Sequence, residues 1–456
     1  MKQNQQIPKI STVKTISDVK EMIKSPIEVF ERYRKEFGST FKFRFGRSST
    51  IVTADPSLLK YVLKDNSDNY YKSHIQTKRL VEFQGVGLTN SNGDYWLKQR
   101  KHMSMGFTPG RLEETLPTQI ESLNEFMDAF DKKVEEGTLD IHKQMENFTV
   151  RSVGRSIFGK QMKMEDYEKF VEVISEIQEY ILKKIVKPYL KPWLRIIGQD
   201  RKYQKIRKEG DLVIMDYLKE RRKTLGEGKD ILEMIMSTPY KGTEEFMSDE
   251  KMRIEILQLL VAGNETSSTA STWVFYILAK HPECINKIRG EVEDVFGEDA
   301  IDYQKLQSLT YTISVLDEVL RLYPPFWMID REAQKADEFN GMKIPKGTTI
   351  VAYIYGAHQN EEYWDNPEKF DPSRFTKESI KNNHPFTHIP YGGGPRVCIG
   401  QNMAKMQMLL VISSVIRKYD FSLSGLNDIG MNASMLIKPD GPVNMNFKKI
   451  EQIQPV

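Results

Sequence analysis

The chain has 456 residues and a mass of 53.0 kDa, with 39% hydrophobic and 10% aromatic residues, which excludes a disordered or fibrous protein and allows a large buried interior. Sixty-six basic against sixty-three acidic residues leave a formal charge of +3, so the chain as a whole is not built to bind nucleic acid or another polyanion. No apolar run reaches the roughly 18–20 residues of a membrane span, the opening MKQNQQIPKISTVK lacks a signal-peptide core, and two cysteines, Cys284 and Cys398, cannot form a disulfide framework. A reduced, cytoplasmic globular protein is expected.

Phe41, Phe43 and Phe45 alternate with Lys42 and Arg44, the period of a half-buried strand. Gly46-Arg47-Ser48 reads as a turn and Thr50–Thr53 as the returning strand, after which Pro56 opens a short helix from Leu58 to Leu63. From about Leu112 to Lys280 helical periodicity dominates, with breaks expected at Lys187–Pro192 and Leu225–Lys229. Glu255–Lys280 reads as one long apolar helix stopped by His281-Pro282. Leu309, Ile313, Leu316 and Leu320 make an apolar stripe on the next helix, which ends before Pro324-Pro325. Short strand signals follow between Phe339 and Val351, then a loop rich in Pro, Asn, His and Gly from Asn360 to Gly400, a last helix Gln401–Tyr419 and a strand-like tail. No repeat or domain-sized linker interrupts the chain, so one domain over residues 1–456 is expected, with a polar lead-in at 1–26.

The forty-residue loop is the least ordinary feature, since loops of that length in compact proteins are usually functional. It ends Tyr391-Gly-Gly-Gly-Pro-Arg-Val-Cys-Ile-Gly400. Glycines let backbone amides approach a ligand atom, and a helix start just after a cysteine favours its thiolate. By its residues alone Cys398 is equally readable as a small buried hydrophobe. A zinc site from His384, His388 and Cys398 lacks a fourth ligand, and a dinucleotide phosphate loop fits badly because Val397 stands where a glycine belongs.

Four further groups stand out. Glu318 and Arg321, at i, i+3, ordinarily form a solvated surface pair. Ala262-Gly-Asn-Glu-Thr-Ser267 puts poor helix formers into an apolar helix. Trp96 and Arg100 share a helical face, where an indole N–H and a guanidinium suit a carboxylate. Arg331 follows shortly after the double proline.

Taken together and in this order, these motifs resemble the cytochrome P-450 family of haem-thiolate monooxygenases, in its soluble bacterial-type form, from about Ile27 to Phe447. Tyr391 departs from the family's Phe. The resemblance implies a mainly α fold with small β-sheets, an α-rich haem-binding part and a smaller β-rich part. It implies haem b held by Cys398 as axial iron ligand, with Gly394 and Gly400 shaping the loop and Trp96, Arg100, Arg331 and Arg396 meeting the propionates. Glu265 and Thr266 are expected to relay protons to dioxygen from a locally distorted helix, while Glu318, Arg321 and Arg374 of Pro372-Ser-Arg-Phe375 form a buried scaffold. Substrate contacts map onto Phe83, Val86, Leu259, Ala262, Phe326, Trp327, Met328, Met435 and Leu436, mostly apolar, which suits a fatty acid, terpenoid or carotenoid.

O-demethylation of a methylated sugar, served by Trp327 and Asp330, is the alternative. A haem-thiolate isomerase or a peroxygenase is disfavoured by the Glu265-Thr266 pair, and a non-catalytic haem sensor or electron-transfer protein would be told from an enzyme by turnover with a surrogate ferredoxin system. With no flavin domain expected before Val456 and too few cysteines for an iron–sulfur cluster, electrons from NAD(P)H are expected through a separate ferredoxin or flavodoxin with its reductase. Lys98, Lys101 and Lys405 are candidates to attract that acidic carrier to a monomer. The basic segment Lys183–Lys208, with Tyr189, Trp193, Ile196 and Ile197, reads as an amphipathic helical face rather than a nucleic-acid or membrane site, and the resemblance implies that it is the lid over the substrate.

Overall fold

The computed structural model describes residues 7–45, 48–79, 81–159, 176–177, 180, 184, 190–226, 229–297, 299, 301–425 and 428–450. The Gly46-Arg47 turn, the Phe83 side chain, Tyr189 and much of the basic segment therefore lie outside what is described. The chain forms two compact units, the first from Met1–Gln76, Ile313–Ile399 and Ile429–Gly441, the second from Thr77–Thr312, Gly400–Asp428 and Pro442–Val456.

The first unit is the β-rich one. Thr40–Phe45 buries Phe41 and Phe43 and turns Lys42 and Arg44 outward, as its alternation requires. It pairs antiparallel with Ser48–Thr53, Phe41 facing Val52, and this strand runs parallel to Thr349–Ala352, Val52 facing Val351. Ile329–Ala333 and then Tyr70–Tyr71 complete a five-stranded sheet by antiparallel pairing. Against it lies the helix Pro26–Phe37, opened by Pro26 and closed at Gly38, whose φ of 91° a side chain would resist. Phe30 is its anchor, meeting Phe41, Trp327 and Tyr353 edge-on with ring centroids 6.3, 5.5 and 5.4 Å away.

The second unit is helical. Pro109–Glu135, Ile141–Phe158, Asp249–Lys280 and Gln401–Lys418 are its main helices. The Asp249–Lys280 helix starts six residues before the sequence suggested, because Ser248 caps it by accepting the Lys251 N–H and Asp249 and Glu250 favour its positive end. Every residue from Ser267 to Leu278 is buried, so this helix runs through the unit's core. Gly263 lets it approach the Ile141–Phe158 helix: a Cβ there would stand 3.2 Å from both Val153 methyls. A three-stranded sheet of Leu139–Asp140, Asn444–Lys449 and Tyr419–Leu423 closes the unit and accounts for a break in the helical run that periodicity did not foresee. Among the described residues no helix is long and apolar enough to cross a membrane.

Candidate active site

In the first unit the cysteine loop is shaped by backbone geometry. Gly392 and Gly394 adopt φ of 74° and 68°, where glycine is favoured. A Cβ on Gly394 would overlap the Leu63 carbonyl, and one on Gly393 would come within 2.7 Å of the Phe386 ring. At Gly394 the backbone contact admits no larger residue; at Gly393 the Phe386 ring would have to move. The loop closes on itself: Cys398 donates its N–H to the Tyr391 carbonyl at 2.9 Å and Val397 to Gly394 at 3.1 Å. The result is an exposed Cys398 two residues after a short 3-10 turn, Gly394–Arg396, and three residues ahead of the first residue of the Gln401–Lys418 helix. Burial, with the nearby Asp317 and Cys398 charges, holds the Tyr391 phenol well above its ordinary range, so it stays protonated.

Behind the loop, Glu318 and Arg321 are both fully buried. Arg321 grips the carboxylate with Nε at 2.7 Å and Nη2 at 2.8 Å, the Asp371 N–H adds a third bond at 2.9 Å, and Arg374 stands 3.5 Å away. Arg374 itself donates to the carbonyls of Asp365 and Asn366. The ordinary surface-pair reading of Glu318 and Arg321 is therefore replaced by a buried ion pair with Arg374 beside it.

Arg321 also donates to the His358 carbonyl at 2.8 Å, and His358 is a residue that the motif pattern did not single out. The Ile389 N–H donates to its Nε2 at 2.9 Å, which must therefore be the bare nitrogen, so Nδ1 carries the proton and donates to the Arg321 carbonyl at 3.2 Å. Burial, with His388 and Arg321 beside it, holds the imidazole well below its ordinary pKa and keeps it neutral. His358 thus links the charged cluster to the residue two before Tyr391. A histidine closing an apolar turn, Ile354–His358, was its only sequence signal.

Arg331 supplies a test of cofactor fit. Its guanidinium is buried, donates to the Asp330 carbonyl at 2.7 Å, and has no carboxylate in ion-pair contact among the described residues. Burial lowers its pKa to about 10. A protein interior tolerates such a cation when an anion is to be bound, and a haem propionate meets that need. By contrast His388 spends Nε2 on the Asp317 carbonyl, and among the described residues no three His, Cys, Asp or Glu side chains cluster to hold a metal ion, so the zinc reading finds no site.

The substrate candidates in this unit separate by alternation. Phe326, Met328 and Met435 are exposed, whereas Trp327 and Leu436 are core. Trp327 gives its indole N–H to the Ser434 carbonyl at 3.1 Å, and Asp330 accepts from Ser73 at 2.7 Å and from Gln76. Both polar groups invoked for a sugar are thus already committed within the protein.

In the second unit Trp96 and Arg100 lie half-buried on the helix Gly93–Met103, and Glu265 and Thr266 half-buried on the long helix. The chain is α-helical throughout Asp249–Lys280; side-chain bonds mark the segment, with Thr266 Oγ donating to the Ala262 carbonyl at 2.7 Å and Thr149 donating to Asn264 at 2.9 Å. Leu259 is half-buried, and Ala262 and Val86 are exposed. Gly400 caps the Gln401–Lys418 helix. Lys98 is held by Glu245 at 2.7 Å and lies 3.9 Å from the Tyr240 ring, so Lys101 is the more available cation on that helix. In the basic segment, Trp193, Ile196 and Ile197 are exposed and Leu194 is buried, as an amphipathic face requires.

A glycine-cradled cysteine on a mainly helical scaffold, with a buried arginine awaiting an anion, defines the class of haem-thiolate oxidoreductases. The family model described as Cytochrome P450 matches residues 8–447, and the chain belongs to that family. It is 26% identical over 423 residues to Cytochrome P450 716A67 of Medicago truncatula, covering 89% of this chain and 80% of that protein. It is 26% identical over 426 residues to a lithocholate 6-beta-hydroxylase of Mesocricetus auratus (90% and 84%), and 26% over 409 residues to Protein LUTEIN DEFICIENT 5, chloroplastic, of Arabidopsis thaliana (85% and 68%). Its fold is that of the crystal structure of cytochrome P450DA heme domain, with a TM-score of 0.84, 21% identity and 93% of each chain covered. The protein is accordingly a haem b monooxygenase using O2 and electrons from NAD(P)H through a redox partner.

Proposed function

We propose that the enzyme hydroxylates an unactivated C–H bond of an apolar organic molecule of the fatty-acid, terpenoid or carotenoid class. The observation that carries the substrate reading is the split of the candidate contacts. The exposed ones, Val86, Ala262, Phe326, Met328 and Met435, are apolar, while Trp327 and Asp330 have their polar atoms occupied. Similarity to a lithocholate 6-beta-hydroxylase supports hydroxylation as the reaction.

Cys398 would hold the haem iron through its sulfur, and the bound haem would supply the activation of dioxygen for insertion into carbon. Arg331, with Arg396, Trp96 and Arg100, receives the propionates. The Thr266 hydroxyl proton is engaged by the Ala262 carbonyl, which leaves its lone pairs free to accept a hydrogen bond from the distal side. Glu265, one residue earlier, exchanges protons with solvent and feeds that hydroxyl. Electrons arrive from a separate ferredoxin or flavodoxin, drawn by exposed cations such as Lys101. The test is a screen of fatty acids, terpenes, carotenoids and methylated sugars for a low-to-high spin shift in the purified haem protein, followed by turnover with a surrogate ferredoxin system. A shift and hydroxylated product from an apolar compound are expected; response to methylated sugars alone would overturn the substrate class.

A further inference from the structure

The segment before Trp96 is fastened to the long helix in a way the reaction does not require. Glu255 and Gln258 lie about one turn apart on that helix, both buried. Both take backbone groups of the loop 85–90. Leu88 donates its N–H to Glu255 Oε2 at 3.0 Å, and Thr89 donates to Gln258 Oε1 at 2.8 Å. The Gln258 amide returns a bond to the Gly85 carbonyl at 3.4 Å. Asn90 braces the loop from inside, accepting from the Gly87 N–H at 2.9 Å and donating to Gly85 at 2.7 Å, while Tyr95 donates to the Val86 carbonyl at 3.0 Å.

The two glycines are needed by the contact itself. Gly85 has φ of 75°, and a Cβ there would meet Ile254 at 2.7 Å; at Gly87 it would meet the Gln258 amide at 2.7 Å. Loop and helix are thus pressed together, with the Leu88 and Thr89 N–H groups and the Gly85 carbonyl paired across the contact. An unsatisfied buried carboxylate or amide costs more than a typical hydrogen bond contributes, so the arrangement is held by the penalty of opening it.

We infer that Glu255 and Gln258 are positioning residues that clamp the loop 85–90, fixing its distance from the Ala262–Thr266 turn of the same helix and so the size of substrate admitted. The inference rests on the reading of Val86, Leu259 and Ala262 as substrate contacts. A loop tied by side chains from the helix that carries Glu265 and Thr266 is a fixed wall; selectivity changes when the tie is altered, and the haem chemistry does not.

The experiment uses the haem-loaded full chain with Glu255→Leu, Gln258→Leu and Glu255→Gln. Native-state hydrogen exchange is read at the Leu88 and Thr89 amides. Exchange is expected to accelerate about tenfold or more at Leu88 in Glu255→Leu and at Thr89 in Gln258→Leu, and to remain near wild type at Leu88 in Glu255→Gln, whose side-chain carbonyl still accepts. Spectral binding of imidazole and of the bulkier phenylimidazole to the iron is measured on the same samples. The phenylimidazole dissociation constant is expected to change about fivefold in the two leucine variants with imidazole unaffected. Unchanged amide exchange in both leucine variants would overturn the clamp, and faster exchange with unchanged phenylimidazole binding would overturn its role in selectivity. The wild-type ferrous carbon monoxide spectrum tests the haem reading separately, and the exchange measurement stands whatever that spectrum gives. Should Glu255→Leu fail to fold, Gln258→Leu carries both arms alone.

Discussion

Replacing Glu318 with Gln is a near-isosteric change with a large expected effect. The wild-type carboxylate is fully buried and receives two bonds from Arg321 and one from the Asp371 N–H, with Arg374 at 3.5 Å. Glutamine keeps one acceptor oxygen and puts an NH2 donor where the other was. At least one of those three contacts becomes donor against donor, and the Arg321 charge is left buried without its counter-ion. Breaking a buried pair in this way costs about 3–5 kcal/mol, against a total stability for a typical domain of about 5–15 kcal/mol. The loss is transmitted along a defined route: Arg321 holds the His358 carbonyl, and His358 holds the Ile389 N–H at the head of the cysteine loop. Urea unfolding of the haem-loaded protein, followed by circular dichroism, should therefore show a loss of about 3 kcal/mol or more, with part of the ferrous carbon monoxide spectrum shifted away from the thiolate form. Arg321→Lys, which keeps the charge and loses the fork, should fall between. A loss for Glu318→Gln below about 1 kcal/mol, the range of an exposed ion pair, would refute the reasoning.

Cys398→Ala should abolish the thiolate carbon monoxide band and monooxygenase activity together; retention of the band would remove Cys398 as ligand. Thr266→Ala should keep the haem but divert reducing equivalents to peroxide, because positioned proton transfer of this kind is worth about 10²–10⁴-fold; full coupling of NAD(P)H oxidation to product would rule the relay out. His358 is neutral in the fold with its pKa held below the ordinary 6.5, so its contribution is complete above pH 6.5 and falls as the unfolded chain takes up the proton below it, by up to about 1.4 kcal/mol per pH unit. His358→Asn cannot titrate, and the variant's unfolding free energy should decline less steeply than wild type between about pH 6.5 and 5; equal slopes would contradict the assignment. Lys101→Glu should slow reduction by an acidic ferredoxin and flatten its salt dependence, and an unchanged rate at low salt would exclude this residue from docking.

Features that obey a local rule were legible in the sequence. Phe41 and Phe43 announce a strand by alternation, and the glycines of the cysteine loop announce backbone crowding, which the Leu63 carbonyl against Gly394 makes concrete. Features that depend on what a polar side chain meets far away were not. Glu255 finds its partner 167 residues off and Gln258 169 residues off, in both cases a backbone N–H that any residue type could present, so no spacing rule marks them. His358 likewise spends its nitrogens on a carbonyl and an amide, leaving no side-chain signature of its role.

The substrate contacts illustrate the intermediate case. Apolar character at Phe326-Trp327-Met328 and Met435-Leu436 suggested one continuous lining, but Phe326, Met328 and Met435 are exposed while Trp327 and Leu436 are buried. Only the exposed members can face a ligand, and the buried ones do the other work. Trp327 packs on Phe30 and Tyr353 and bonds Ser434, while the Ile437 N–H donates to the Pro325 carbonyl, so the two segments are stitched together by their inward members. This division has a chemical consequence. A sugar or other polyhydroxyl substrate needs buried hydrogen-bond groups left available to it, since an unmatched hydroxyl in an apolar site is costly. The inward side chains that carry such groups here are satisfied by the protein, and the outward ones are hydrocarbon or thioether. On the proposed function, an apolar substrate is selected because the fold keeps the polar-bearing half of each segment for itself.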